Sequence, residues 1–134
     1  IETIINYIAN SVHLDGVRAE EIKKSLAADV TSELMHAQNL AKRIKEIGGG
    51  VPGSMEFKAM QKSLQPPADT TDVVAVIKGV IDAENGAIEH YGKLIDVCGE
   101  AHDYVTEDLC ITQLGDEEGH RTTFVGYLKE YTKG

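Results

Sequence analysis

Apolar residues recur along this chain at steps of three, four and seven, the repeat of an amphipathic helix, and the two-residue alternation of a strand is nearly absent. From Ile1 to about Leu14 the positions Ile1, Ile4, Ile5, Ile8 and Val12 predict one helical face, and Asp15-Gly16 breaks it. A long helix is expected from Val17 to Ile47, with the stripe Ile22, Leu26, Val30, Ala37, Leu40, Ile44 and Ile47; Gly48-Gly49-Gly50 and Pro52-Gly53 end it. Residues 51–69 contain Pro66-Pro67 and an amphipathic piece around Met55 to Leu64, so they read as a long crossover with at most one short helix. The cluster Asp69-Thr70-Thr71-Asp72 offers N-caps for a third helix, whose stripe is Val73, Ile77, Val80, Ile81, Ile88, Tyr91, Ile95 and Cys98. A break near His102 to Tyr104 leads to a fourth helix from about Val105 to Tyr131, with Val105, Leu109, Phe124, Leu128 and Tyr131 inward. Four helices joined by short, long and short connections predict an all-α antiparallel four-helix bundle, with one long crossover between helices two and three.

Length and charge narrow this picture. The 134 residues suit a single domain spanning 1–134, and 42% apolar residues suffice for a core. The first helix opens on an apolar position with no capping residue, so its beginning is expected to lie before residue 1. A net charge of -9 opposes binding to the phosphate backbone of nucleic acid and attracts cations instead. No apolar run approaches the roughly 18 residues of a membrane span, and no secretory signal opens the chain, so a cytoplasmic protein is expected.

The stripes are interrupted by groups that do not belong in an apolar core. Glu33 falls between Val30 and Ala37, Glu84 between Ile81 and Ile88, and Glu117 with His120 between Leu109 and Phe124. Two Glu-x-x-His units are present, Glu33-Leu34-Met35-His36 and Glu117-Glu118-Gly119-His120. That spacing alone is weak, because acids are common here, but i,i+3 spacing puts each Glu and His on one helical face. A bare buried carboxylate costs several kcal/mol, so such groups require partners or a metal. A network of Glu–His hydrogen bonds would satisfy one of them. Three carboxylates and two imidazoles from three helices match the donor preferences of iron, manganese or zinc.

The run Ala101-His102-Asp103-Tyr104-Val105-Thr106-Glu107-Asp108, followed by Asp116-Glu117-Glu118-Gly119-His120, resembles the last turn and fourth helix of bacterioferritins, within the ferritin-like superfamily. His36-Ala37-Gln38 and Leu40-Ala41-Lys42-Arg43-Ile44 resemble their second helix, and the spacing from Glu84 to Tyr104 and Glu117 is similar too. The resemblance implies a site with one Glu from each of two helices and a Glu-x-x-His from each of the others. Glu33 and Glu117 would then bridge two irons, His36 would complete one, and His120 with Glu84 the other. Aligning Asn6-Tyr7 with the family's first helix puts the remaining ligand just before Ile1, and Glu2 is the only acid nearby. The implied activity is that of a ferroxidase: two Fe(II) are oxidised by dioxygen or hydrogen peroxide, with Glu33, Glu84 and Glu117 carrying the chemistry and the product stored as mineral in a cage. Zinc or manganese are alternative occupants. Leu34 stands where the family's haem-binding Met would be, so no haem is expected. The chain ends soon after the fourth helix, without the short fifth helix of 24-subunit cages. A dimer building a 12-subunit cage is therefore the expected homo-oligomer. A non-storage di-metal oxidase or peroxidase and a metal-free structural bundle are the alternatives.

The other polar residues carry less. Cys98 and Cys110 read as small core residues or a redox pair, and Cys98 lies about 21 Å along its helix from Glu84, too far to share a metal with it. Tyr91 falls near Glu84 on its stripe, for core packing or a hydrogen bond beside the site. His13, His90 and His102 have no partner at ligand spacing.

Overall fold

The structure, a computed structural model, describes residues 1–133. It holds four α-helices, α1 (Glu2–His13), α2 (Glu20–Glu46), α3 (Val73–Glu100) and α4 (Tyr104–Tyr131), with single 3-10 turns at Val17–Ala19 and Ser54–Glu56. There is no strand among the described residues. α1 packs on α2, α3 on α4, and α2 on α4, which makes two antiparallel hairpins laid together. The crossover returns along the bundle: Asp15 N–H donates to Thr70 O at 2.8 Å, so α3 begins beside the α1–α2 turn and runs parallel to α2.

Local chemistry accounts for the boundaries. Asp72 caps α3 by accepting from Ala75 N–H at 3.1 Å, and Asp103 caps α4 by accepting from Thr106 N–H at 3.1 Å. His102, at φ 55°, supplies the left-handed residue that reverses the chain between α3 and α4. Val17–Ala19 form a 3-10 turn ahead of α2, so that helix starts three residues later than the periodicity predicts.

The crossover keeps to at most one short helix: from Met55 to Leu64 there is none beyond the turn at Ser54–Glu56. Its backbone is held from α1 instead: Met60 and Gln61 N–H donate to the Glu2 carboxylate, and Asn10 Nδ2 donates to Leu64 O at 2.9 Å. Leu64 itself sits at φ 64°, and a Cβ on Gly79 of α3 would come within 3.0 Å of its Cα, so glycine there admits the crossover's close approach. The expectation that fails is the face of α1. Ile1, Ile5, Ile8 and Val12 are exposed, while Asn6, Tyr7 and Asn10 are buried. The periodicity was genuine, but the apolar stripe is not the one turned to the core, because Tyr7 and Asn10 have polar partners inside the bundle. Val105 is likewise exposed.

The apolar core occupies one end of the bundle. Tyr7, Leu14, Ile22, Leu26, Val76, Ile77, Val80 and Phe124 form a single buried cluster, with Phe124 and Tyr127 edge to face at 5.2 Å. Next along the same helices lie the buried acids.

Candidate metal centre

One turn beyond Val80 and two turns before Phe124, the inward positions of α3 and α4 are Glu84 and Glu117, both essentially without solvent. α2 contributes Glu33 and His36, and α4 adds His120 one turn after Glu117. Glu33, Glu84, Glu117 and His120 each offer a ligand atom, and these atoms lie within 4.8 Å of one another. His36 closes the group from α2: its Nδ1 is 3.0 Å from Glu117 Oε1 and 3.9 Å from Glu33 Oε2. His120 Nδ1 lies 3.8 Å from both Glu33 Oε1 and Glu84 Oε1.

The hydrogen bonds of these groups are incomplete in a consistent way. Among the described residues, the buried side-chain oxygens and nitrogens with no hydrogen-bond partner are Glu33 Oε1, His36 Nδ1, Glu84 Oε2, Glu117 Oε1, His120 Nδ1 and Asn10 Oδ1. All but the last belong to the five inward acids and histidines. Unpaired buried polar atoms are rare in folded proteins, and here five of them converge. His36 Nδ1 and Glu117 Oε1 lie 3.0 Å apart without a hydrogen bond, while Nε2 on the far side of the ring is 2.8 Å from Asp116 Oδ2. A ring nitrogen and a carboxyl oxygen that close are stabilised by a cation or a proton between them.

Without a metal, that proton resides on Glu117. Burial, then hydrogen bonding with Glu84 and Glu33, pushes its carboxyl up to about 12. Burial also disfavours the charge of Glu84, but the nearby His120, Glu117 and the Tyr7 hydroxyl outweigh it and hold its carboxyl below the usual range. Tyr7 OH donates to Glu84 Oε1 at 2.6 Å, and burial together with that carboxylate drives the phenol far above its ordinary value. The Glu84 carboxylate raises His120 against the opposing effect of burial. A carboxyl proton on Glu117, and the shift of His120 toward its charged form, thus offset the negative charge of a cluster of three carboxyls.

Other expected positions fall outside this group. Glu2 does not join it, because its carboxylate accepts from Met60 and Gln61 N–H in the crossover. Tyr91 is buried between α3 and α4; its hydroxyl accepts from Gln113 Nε2 at 2.9 Å, and burial raises it to about 12, helped by Glu117 and Glu33. Cys98 and Cys110 are buried free thiols. His13, His90 and His102 are exposed.

Two carboxylates and one phenol at the site escaped the sequence reading. Asp29 lies 3.6 Å from His120 Nε2 and is half-buried; its place one turn before Glu33, on the same face, was the available signal. Asp116 was passed over because it neighbours Glu117 and points outward. Nothing in the spacing identified Tyr7, whose stripe looked polar.

Residues 1–133 match the model of the ferritin-like domain. The chain belongs to the ferritin-like family. It is 28% identical to a bacterioferritin of Desulfovibrio desulfuricans over 124 residues, covering 92% of this chain and 65% of that protein. With a bacterial ferritin of Neisseria meningitidis serogroup B it shares 36% identity over 93 residues, covering 69% of this chain and 54% of the relative. The ferritin-like chain therefore spans rather more than half the length of these curated relatives. A structure of ferritin-like, diiron-carboxylate proteins from Bacillus anthracis superposes with a TM-score of 0.79 at 21% identity, over 94% of this chain and 84% of that one. That agreement is one of fold: an all-α, ferritin-like four-helix bundle. No helix among the described residues is long and apolar enough to cross a membrane.

Proposed function

We propose that this protein binds Fe(II) as substrate at a carboxylate-bridged pair of positions and oxidises it, with dioxygen or hydrogen peroxide as electron acceptor. The observation that carries the reading is the convergence of five unpaired buried donor atoms, on Glu33, His36, Glu84, Glu117 and His120. Each is a buried polar atom close to the others and without a hydrogen-bond partner, which a purely structural network would have paired. Oxygen donors from carboxylates with imidazole nitrogens suit Fe(II) and also admit zinc or manganese.

The roles follow from position. Glu33 has one oxygen 3.9 Å from His36 Nδ1 and the other 3.8 Å from His120 Nδ1, and Glu117 has Oε1 3.0 Å from His36 Nδ1 and an oxygen within 4.8 Å of a His120 ring nitrogen, which suits both to bridging. Glu84 and His120 complete one side, and His36 the other. Tyr7 holds Glu84 by its 2.6 Å hydrogen bond, leaving Oε2 of that carboxylate bare. Bound iron supplies the electrons, two Fe(II) giving two Fe(III) while one peroxide and two protons give two waters. Glu117 releases its proton when a cation replaces it, and the apolar cluster beside the site limits access of bulk water.

Assembly belongs to the same reading. The exposed row Ile1, Ile5, Ile8 and Val12 on α1, bordered by Phe57, is an apolar surface suited to a second copy of the chain, and a cage of such dimers would store the ferric product. A non-storage oxidase would have the same ligands in a smaller oligomer; oligomer mass and iron per chain separate the two.

Anaerobic titration with Fe(II), followed by oxygen and monitored by absorbance, tests the chemistry. Two equivalents oxidised per chain are expected. Oxidation no faster than in buffer alone overturns the proposal.

A further inference from the structure

The metal centre makes no use of the two cysteines. Cys98 lies near the end of α3 and Cys110 near the start of α4, and both are buried free thiols. Neither belongs to the apolar cluster, and their large apolar neighbours Val97, Val105 and Ile111 are exposed. This end of the bundle thus buries two sulfurs and leaves the hydrophobic side chains beside them in water. The chain reversal brings the sulfurs together. His102 turns the backbone at φ 55°, and Asp103 N–H donates to Cys98 O at 2.9 Å. A Cβ on Gly99 would come 3.3 Å from Glu107 Oε2, so α3 and α4 are close at this level. The two thiols are in hydrogen-bonding contact, with Cys110 S–H donating to the Cys98 sulfur. From α2, Arg43 Nη2 reaches Asp103 Oδ1 at 2.9 Å and braces the turn.

We infer that Cys98 and Cys110 form a dithiol–disulfide couple, independent of the metal centre, in which Cys98 reduces a peroxide and Cys110 resolves the product. The division of roles comes from exposure and from the direction of the hydrogen bond. Cys98 keeps 7% of its surface and Cys110 none, so an oxidant little larger than water meets Cys98 first. Burial raises the Cys98 thiol, and Asp103 and Glu107 add to it, while the hydrogen bond from Cys110 and the charge of Arg43 favour its thiolate. At Cys110 the Cys98 sulfur acts in the same direction as burial, so Cys110 is the thiol that keeps its proton. In the first step the Cys98 thiolate attacks one oxygen of hydrogen peroxide and the O–O bond breaks. Cys98 becomes a sulfenic acid, and the departing hydroxide takes up the thiol's proton as water. In the second step the Cys110 sulfur attacks the Cys98 sulfur, the S–O bond breaks, and the Cys110 proton leaves with the hydroxyl as a second water. Two thiols have then lost two electrons, and one peroxide has become two waters. Because both thiols are held above their ordinary value, few are thiolates at neutral pH. The reaction is therefore one slow event per chain that registers sustained peroxide, not rapid turnover. Its product joins α3 to α4 where the apolar cluster does not reach.

The test uses the whole chain, reduced and freed of metal with a chelator, and its Cys98→Ser and Cys110→Ser variants. After hydrogen peroxide, the wild type is expected to lose both free thiols and two hydrogens in mass, and to recover them with dithiothreitol. Digestion after acidic residues cuts the segment between the cysteines, and the fragments should stay joined until reduced. Dimedone, which labels sulfenic acid, reads the two roles. In Cys110→Ser, Cys98 has no resolving partner and should be labelled at least about tenfold faster than Cys110 is in Cys98→Ser. Thiols that survive peroxide, a disulfide between chains, or oxidation to sulfinic acid without a disulfide overturns the inference. Equal labelling of the two variants overturns the division of roles. If a serine variant fails to fold, timed alkylation of the wild type replaces it: Cys98 should react first, and simultaneous reaction counts against the assignment. With no metal present, failure here leaves the iron-oxidation reading standing, and failure of that reading leaves this one.

Discussion

At one end of the bundle Phe124, Ile77, Leu26 and Tyr7 bury apolar surface against one another, and along the same helices Glu84, Glu117 and His36 are buried almost as completely. The first region releases water from apolar surface and is stable without any addition. The second removes carboxyls from water, leaves one polar atom of each inward group without a hydrogen bond, and retains a proton on Glu117. Stability and function are therefore separated by one or two helical turns, and the apolar end holds the polar one in a state that would not form alone. Substitutions at the two ends should have opposite signatures.

The largest effect is expected at Glu117. Glu117→Gln keeps the shape of the protonated carboxyl but cannot ionise, so Fe(II) oxidation should fall to the buffer rate. The metal-free protein should become more stable near pH 7, by up to about 3 kcal/mol, because the amide makes hydrogen bonds much as the protonated acid does but needs no proton uptake on folding. Stopped-flow absorbance and denaturant unfolding check the two halves. Retained oxidation would remove Glu117 from the centre. At the other end, Phe124→Ala should cost about 3 to 5 kcal/mol by leaving a cavity in the apolar cluster, yet bind the same number of metal ions below its unfolding midpoint. A loss of stoichiometry in the folded variant would show that the two regions are not separable.

The pH response sharpens the contrast. Glu117 titrates near 4.5 when unfolded and is pushed up to about 12 in the folded metal-free protein, so above about pH 4.5 the unfolded chain releases a proton that the folded one keeps. His120 is raised as well, so its contribution is present below its ordinary value of 6.5 and is lost as pH rises through the folded one. Both shifts have the same sign: metal-free stability should fall between roughly pH 5.5 and 8, with a limiting slope of about 1.4 kcal/mol per unit for one proton. Zn(II) displaces that proton, so its stabilising effect should grow across the same interval. Unfolding midpoints with and without Zn(II) test this, and a metal-free midpoint that rises with pH would contradict it.

The fold was legible because three helices keep their apolar stripes inward at the stable end: Ile22, Leu26, Ile77, Val80 and Phe124 are where the periodicity put them. α1 was misread because its inward residues, Asn6, Tyr7 and Asn10, are polar groups that donate to long-range partners in the crossover and in α3, which no local pattern encodes. The crossover carries little helix for the complementary reason, since its backbone is fixed by α1 side chains and not by its own propensity. At the candidate site, Glu33, Glu84, Glu117 and His120 were conspicuous as charges inside apolar stripes, and the structure brings them together. Asp116 and Asp29 were not conspicuous. Their significance lies in which histidine nitrogen they face, and the two distances, 2.8 and 3.6 Å, depend on the packing of α2 against α4.

The smallest predicted effect compares the caps of α3 and α4, which begin at opposite ends. Asp72 accepts only the Ala75 N–H, on an exposed surface, so Asp72→Ala should cost about 1 kcal/mol, within the 0.5 to 2 kcal/mol typical of a lost N-cap. Asp103 does more: besides Thr106 N–H it receives the Thr106 hydroxyl, and Arg43 Nη2 reaches it from α2 at 2.9 Å, while Arg43 Nε donates to Thr106 Oγ1 at 2.8 Å. These bonds tie the end of α2 to the start of α4, where the apolar cluster does not extend. Asp103→Ala should therefore destabilise more than Asp72→Ala. It should also speed amide hydrogen exchange around Thr106 and Arg43 while leaving Phe124 protected, since the opening is local. Equal losses from the two caps, or exchange that spreads to Phe124, would mean that the polar end is held by the same cooperative core as the apolar one.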